Sequence, residues 1–244
     1  MGADMPTLFI SDLHLDAARP RMTRIFLRFL SGPARSAERV YIMGDLFDLW
    51  IGDDANMAHY PAEIAALRDL SDSGVPLYLM HGNRDFLIGD AFLKATGGKL
   101  LKDPTVIDLN GAQTVLSHGD MLCTDDIAHM KGRQEWLDPV KQAAFLAQPP
   151  AVREKIARQL RMESSHNKTL KTAEIMDVTQ KAVVDLLRQY RVRQLIHGHT
   201  HRPAIHDFEL DGAAARRIVL SDWHEDHGSM LICDEAGCRL QDLY

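Results

Sequence analysis

Short apolar runs that break at a turn recur through the first half of the chain. Thr7 to Ile10 runs into Ser11-Asp12-Leu13-His14, and Val40 to Met43 into Gly44-Asp45. Val75 to Met80 runs into His81-Gly82-Asn83-Arg84-Asp85, and Thr114 to Ser117 into His118-Gly119-Asp120. Runs of this length, ended by turn chemistry, predict buried strands with polar residues at their tips. Between them, residues 21 to 30 and 61 to 72 space their apolar positions as helices do, the second opening on Pro61 and closing near Gly74. A shorter helix is predicted over 91 to 97 and a further strand around Val106 to Leu109. The intervals Asp12 to Asp45, Asp45 to Asn83 and Asn83 to His118 are 33, 38 and 35 residues, lengths that suit strand-crossover-strand units.

The rhythm then breaks. The next strand, Gln194 to Ile196, ends in His197-Gly198-His199-Thr200-His201, and His118 to His197 spans 79 residues, about twice the earlier spacing. This predicts one domain over 1-244 with a helical cap inserted at 125-175, followed by a long amphipathic helix over 173 to 190. Within the insertion, Lys131 to Lys171 carries nine Lys and Arg against four Asp and Glu. Trp136, Leu137, Phe145, Leu146, Val152, Ile156 and Leu160 form apolar stripes there. Two readings stand: a solvated helical pair with a basic face, or an amphipathic surface that meets acyl chains or an anionic membrane. Closing strands are expected around Arg217 to Leu220 and Met230 to Cys233.

Composition narrows the picture. The net charge of -6 argues against a generic nucleic-acid binder. Cys123, Cys233 and Cys238 are few and odd in number, as in a reduced cytosolic protein. No run approaches the ~20 apolar residues of a membrane span, and the N-terminus lacks the pattern of an export signal.

The chemistry collects at the strand tips. A carboxylate at the C-terminal edge of a parallel sheet points into the ligand crevice, and Asp45 has two oxygens with which to bridge two metal ions. Asp12 and His14, two apart, face the same way. The expected grouping is Asp12, His14 and His199 on one metal and Asn83, His118 and His197 on the other, with Asp45 shared. Carboxylate, amide and imidazole without thiolate suit Mn, Fe, Co or Zn. A single zinc lowers the pKa of bound water from about 15.7 to roughly 7, so two such ions would activate water for in-line attack on a phosphate ester or anhydride. Arg84 offers a planar charged fork to phosphate. Asp53 and Asp54 are read as solvated or supporting groups. His224 and His227 either back the ligands or lie on the surface, and His59, His129, His166 and His206 are read as ordinary structural or surface histidines.

The series DLH (12 to 14), GDLFD (44 to 48), GNRD (82 to 85), HGD (118 to 120) and HGHTH (197 to 201) resembles the calcineurin-like metallophosphoesterases. That resemblance implies an α/β fold, a two-sheet αββα sandwich with the helical cap inserted in it, and catalytic roles for Asp45, His118 and Arg84. The superfamily commonly has GNH, whose histidine protonates the leaving group. Arg84 in that place points to a pyrophosphate, whose phosphate leaves readily as an anion.

A wider set of segments, FISDLHLD, YIMGDLFDLWIGDD, HGNRDFLIGD, SHGDMLCTDD, EIMDVTQ and IHGHTHRPAIH, is similar to the UDP-2,3-diacylglucosamine hydrolases of lipid A biosynthesis. This implies cleavage of UDP-2,3-diacylglucosamine to UMP and 2,3-diacylglucosamine 1-phosphate with two Mn2+ ions, other divalent metals being possible. It implies substrate contacts at Asn83, Arg84, Asp126, Ser164, Lys168, Lys171 and His197. It also implies a monomer bound peripherally to the cytoplasmic side of the inner membrane, with a lipid-linked nucleotide sugar as partner and no nucleic acid. The rival readings are a soluble nucleotide pyrophosphatase or cyclic-nucleotide phosphodiesterase, and a metal-binding scaffold without activity.

Overall fold

The fold was read from a computed structural model, which describes residues 5–169, 172 and 175–243, excluding the side chains of 164–169. Strands β1 (Thr7–Ile10), β2 (Arg39–Met43), β3 (Leu77–Met80) and β4 (Lys99–Leu101) run parallel, with α1 (Pro20–Ser31), the single turn α2 (Asp53–Asn56), α3 (Pro61–Asp72) and α4 (Asp90–Thr96) between them. The chain then crosses to a second sheet through the hairpin β5 (Thr105–Leu109) and β6 (Ala112–Ser117). Helices α5 (Ile127–Trp136), α6 (Pro139–Leu146) and α7 (Pro150–Thr169) follow, then α8 (Gln180–Tyr190), β7 (Gln194–His197), β8 (Ala204–Leu210) and β9 (Ala213–Val219). The hairpin β10 (Gly228–Asp234) and β11 (Gly237–Leu243) returns to the first sheet. The sheet orders are β11-β10-β1-β2-β3-β4 and β5-β6-β7-β9-β8.

Side-chain alternation explains the layering, because neighbouring residues of a strand face opposite ways. Leu8, Ile10, Val40 and Ile42 pack outward beneath Phe26 and Phe29 of α1 and Leu67 and Leu70 of α3. Phe9, Tyr41 and Met43 pack inward against Leu116, Ile196 and Ile218 of the second sheet. Phe9, Tyr41 and Tyr78 stack across β1, β2 and β3 at ring separations of 4.8 and 4.9 Å. Val183, Leu186 and Leu187 of α8 cover Val115 and Leu195 on the outer face of the second sheet. Helix, sheet, sheet, helix is the αββα sandwich expected from the resemblance.

Several expectations are corrected. β6 does not continue the parallel run of β3 but belongs to the other sheet, so the 35-residue interval before His118 is a change of sheet and not a crossover within one. The helix expected over 173 to 190 begins at Gln180, where the Thr179 side chain accepts from the Ala182 amide at 3.3 Å and caps the end. Cys233 and Cys238, expected to be reduced, form a disulfide because the β10–β11 register sets them opposite one another, Cα atoms 4.1 Å apart. β4, β8 and β11 were not anticipated. β8 and β11 are largely exposed and polar, so they lack the apolar run that marks a buried strand.

Beyond β2 the chain is anchored by an aromatic group. Phe47 lies 4.5 Å from Trp50 and 4.4 Å from Tyr60, ring to ring, and Phe92 of α4 meets Trp50 edge-on at 5.1 Å. Phe92 is fully buried. Phe92→Ala should therefore cost about 3–5 kcal/mol, read as a lowered midpoint in urea denaturation.

Candidate metal centre

Every residue of the centre sits on a turn immediately after a strand. Asp12 and His14 follow β1, Asp45 follows β2, Asn83 follows β3, His118 follows β6, and His199 and His201 follow β7. These turns approach more closely than side chains would permit. A Cβ on Gly82 would stand 2.1 Å from Asp45 Oδ1, and one on Gly44, at φ +92, would stand 2.5 Å from His118 Nδ1. Asp85, fully buried, binds the two loops together: its carboxylate accepts from the Gly82 amide at 2.8 Å and the Leu46 amide at 2.7 Å. Asp12, His14, Asp45, His199 and His201 all have positive φ, between 47 and 68°, a region costly for residues other than glycine and typical of functional sites.

Two groups of donor atoms result, each with its members within 4.8 Å of one another: Asp12, His14 and His201, and Asp45, His118 and His199. Asn83 Oδ1 lies 3.2 Å from His118 Nε2, beside the second group. Asp45 reaches both, with Oδ1 3.8 Å from His118 Nε2 and Oδ2 3.9 Å from His14 Nε2. Each group could hold a divalent cation.

The histidine pairing differs from expectation. His197, expected as metal ligand and substrate contact, is the last residue of β7; it is fully buried, with Nδ1 2.9 Å from Gly198 O and Nε2 without a hydrogen-bond partner among the described residues. His199, expected with Asp12 and His14, stands with Asp45 and His118, and His201 takes its place at 3.3 Å from Asp12 Oδ1 and 3.4 Å from His14 Nε2. The physical reason is that β7 runs one residue past Ile196, so the turn starts at Gly198 and projects the second and third histidines.

Supporting groups that the sequence left unnoticed complete the shell. Asp222 lies 3.0 Å from His201 Nδ1 and 3.3 Å from His224 Nε2. His118 Nδ1 is 2.9 Å from Met43 O. His129, read as an ordinary histidine, stands with its ring 5.2 Å from that of His199. Asp53 accepts from the Trp50 indole and the Gly89 and Phe92 amides, and Asp54 pairs with Arg153, so both support the structure, as expected. Asp126 caps α5, accepting from the His129 amide at 3.0 Å, and lines the cavity described next. The side chains of Ser164, Lys168 and Lys171 lie outside the described residues.

The centre opens into a cavity of about 1050 Å3. His14, Asp45, Asn83 and Arg84 line its floor, while Trp136, Phe145 and Leu160 of α5, α6 and α7 line its wall. Polar floor and apolar wall fit a ligand that is charged at one end and apolar at the other.

Comparisons with known proteins identify the family. The family model of the calcineurin-like phosphoesterases matches residues 5–203, and the chain belongs to that family. Within it, the chain is 53% identical over 243 residues to the UDP-2,3-diacylglucosamine hydrolase of Aeromonas hydrophila, covering 97% of this chain and 98% of that one. It is 52% identical over 235 residues to the protein of the same name from Pseudomonas paraeruginosa, covering 96% and 98%. Among solved structures, Vacuolar Protein Sorting 29 of Cryptosporidium parvum aligns at 12% identity and a TM-score of 0.48, covering 98% of this chain and 96% of that one.

The charges in the centre are set against one another. Burial pushes Asp12 up, but His201, His118 and His14 outweigh it and hold its carboxyl well below the usual range. Burial disfavours the imidazolium of His118, yet Asp45, Asp12 and Asp120 overcome this and lift it to about 9. In the same way Asp12 and Asp222 overcome burial and lift His201 to about 10. A cation binds only the neutral imidazole, so below these values it must displace a proton from each. Mn2+ affinity should therefore rise steeply between pH 6 and 9, with proton release on binding, in equilibrium dialysis across that range. A flat profile would contradict these assignments.

Proposed function

We propose that the chain hydrolyses the pyrophosphate of UDP-2,3-diacylglucosamine, releasing UMP and 2,3-diacylglucosamine 1-phosphate for lipid A biosynthesis. The observation that carries this reading is Asp45, which faces both donor groups at the floor of a cavity with an apolar wall. The two curated relatives described above, each more than half identical over nearly the whole chain, bear this name.

In this reading Asp12, His14 and His201 would hold one Mn2+ and Asn83, His118 and His199 the other, with Asp45 within reach of both groups. The donor set fits: oxygen and imidazole nitrogen without sulfur, close-set, in a region otherwise costly to keep charged. The bound ions supply an activated water and neutralise charge growing on the phosphoryl oxygens. Arg84 grips the pyrophosphate, and its own amide donates to Asp45 Oδ1 at 2.8 Å, so the phosphate-binding turn and the shared carboxylate move as one piece. No proton donor is needed for a leaving group that departs as a phosphate. Asp126, Ser164, Lys168 and Lys171 are assigned to the nucleotide sugar.

Residues 125-175 act as the cap of a single domain, their inner face sheltering the acyl chains. Ile127, Val140 and Met162 are exposed at 73, 76 and 67% on the same helices that carry the surplus of Lys and Arg, which supports contact with an anionic membrane surface; in this reading the chain rests as a monomer on the cytoplasmic face of the inner membrane. Among the described residues no helix is long and apolar enough to cross a membrane, so contact in this reading is peripheral.

Two measurements test it. His201→Ala should reduce bound Mn2+ from two ions to one by metal analysis, while His197→Gln should keep both; the opposite result would restore the pairing expected from sequence. Removing both acyl chains from the substrate should lower kcat/KM by at least ~100-fold, since each buried CH2 contributes about 0.8 kcal/mol. An unchanged kcat/KM would instead identify a soluble nucleotide pyrophosphatase.

A further inference from the structure

We propose that Asp48 is a positioning residue that orients the imidazole of His14 and, through Arg161, ties the metal centre to the cap helix α7. This rests on the reading that Asp12, His14 and His201 hold a cation.

The backbone fixes where Asp48 stands. Residues 14–15 and 45–48 are laced side by side: the His14 amide donates to Asp45 O at 2.9 Å, the Leu15 amide to Leu46 O at 2.9 Å, and the Asp48 amide to Leu15 O at 3.0 Å. The Asp48 carboxylate is thereby held beside the edge of His14 that faces away from the metal group, with Oδ1 3.9 Å from Nδ1. That nitrogen is buried and has no hydrogen-bond partner among the described residues. When Nε2 faces a cation, Nδ1 carries the proton and needs an acceptor. An approach of about 1 Å by Asp48 would give a charge-assisted bond of ordinary length. A carboxylate behind a ligating histidine fixes its tautomer and ring orientation, and losing one typically costs 10–100-fold in metal affinity.

The other side of the same carboxylate belongs to the cap. Arg161 of α7 pairs with Asp48 Oδ2 and also approaches its backbone oxygen at 3.4 Å. Eight residues earlier, and so on the same face of the helix, Arg153 is 1% exposed and holds Asp54 at 2.9 Å and Ile51 O at 2.6 Å. α7 is therefore clamped along the stretch that follows Asp45. Arg19 approaches Asp48 Oδ1 at 4.0 Å and donates to His14 O at 2.5 Å, which closes the group. If the seating of α7 places Asp48 and Asp48 places His14, cation binding and cap seating strengthen one another, since such coupling is reciprocal.

The test is Mn2+ binding without substrate, by equilibrium dialysis on the full chain, with thermal melting of the metal-free protein alongside. Asp48→Asn should keep two sites and weaken one by ~10–100-fold. Arg161→Met should weaken the same site several-fold, Arg161→Lys should recover most of that loss, and the double variant should bind no worse than Asp48→Asn alone. A metal-free Tm close to wild type separates this from loss of fold. If Asp48→Asn does not fold, Arg161→Met, altered at a part-exposed side chain, carries the test alone: affinity equal to wild type overturns the proposal. Asp48→Asn binding within twofold of wild type overturns it too, as do losses that multiply in the double variant. A wild type that takes up no Mn2+ overturns the metal reading as well, which none of the other outcomes does.

Discussion

One carboxylate must reach two clusters of imidazoles at once, and that requirement governs how the loops of both sheets meet. Asp45 can face His118 with one oxygen and His14 with the other only because the turns around it are stripped of side chains at Gly44 and Gly82. Asp85 then locks those turns by accepting backbone amides from each. The buried carboxylate of Asp85 stands in neither donor group found among the described residues, yet it sets the distance between two of the loops that carry donors. Burial, which disfavours every charge in the centre, is outweighed by charges of opposite sign at Asp12, His118 and His201, whereas at Asp45 and His14 it prevails.

The layers serve this convergence. In each sheet the parallel strands end at the same edge, and the apolar layer between the sheets, from Phe9 and Tyr41 to Ile196 and Ile218, brings those two edges together. A sequence in which β6 extended the first sheet would set His118 in line with Asn83. The change of sheet instead turns His118 back over Asp45. The helices inserted between β6 and α8 then wall the opening with Trp136, Phe145 and Leu160, so a charged floor and an apolar wall come from separate parts of the chain.

Much of this was legible along the chain. Strand β1 and helix α3 begin and end where the apolar pattern places them, and the strand tips carry the residues that converge. What escaped was phase and partnership. Three histidines in alternate positions keep the same parity whether the first pair or the last pair faces the crevice, and only the extra residue of β7 decides it. Asp85 reaches the Leu46 amide and Asp222 the His201 imidazole, partners far away in sequence that no local pattern encodes. The Cys233–Cys238 bond depended on a hairpin register that the largely polar, exposed β11 leaves unmarked.

The left-handed backbone at Asp12, His14, Asp45, His199 and His201 narrows what evolution can try at these positions before any coordination chemistry is considered. Apart from glycine, aspartate, asparagine and histidine are the residues that enter that conformation most readily, and β-branched side chains are nearly barred from it. The same three offer oxygen or nitrogen to a hard or borderline cation. Backbone geometry and donor chemistry thus act as two sieves with nearly the same mesh, so a drift away from ligand types here would meet a conformational penalty even in a descendant that had given up catalysis.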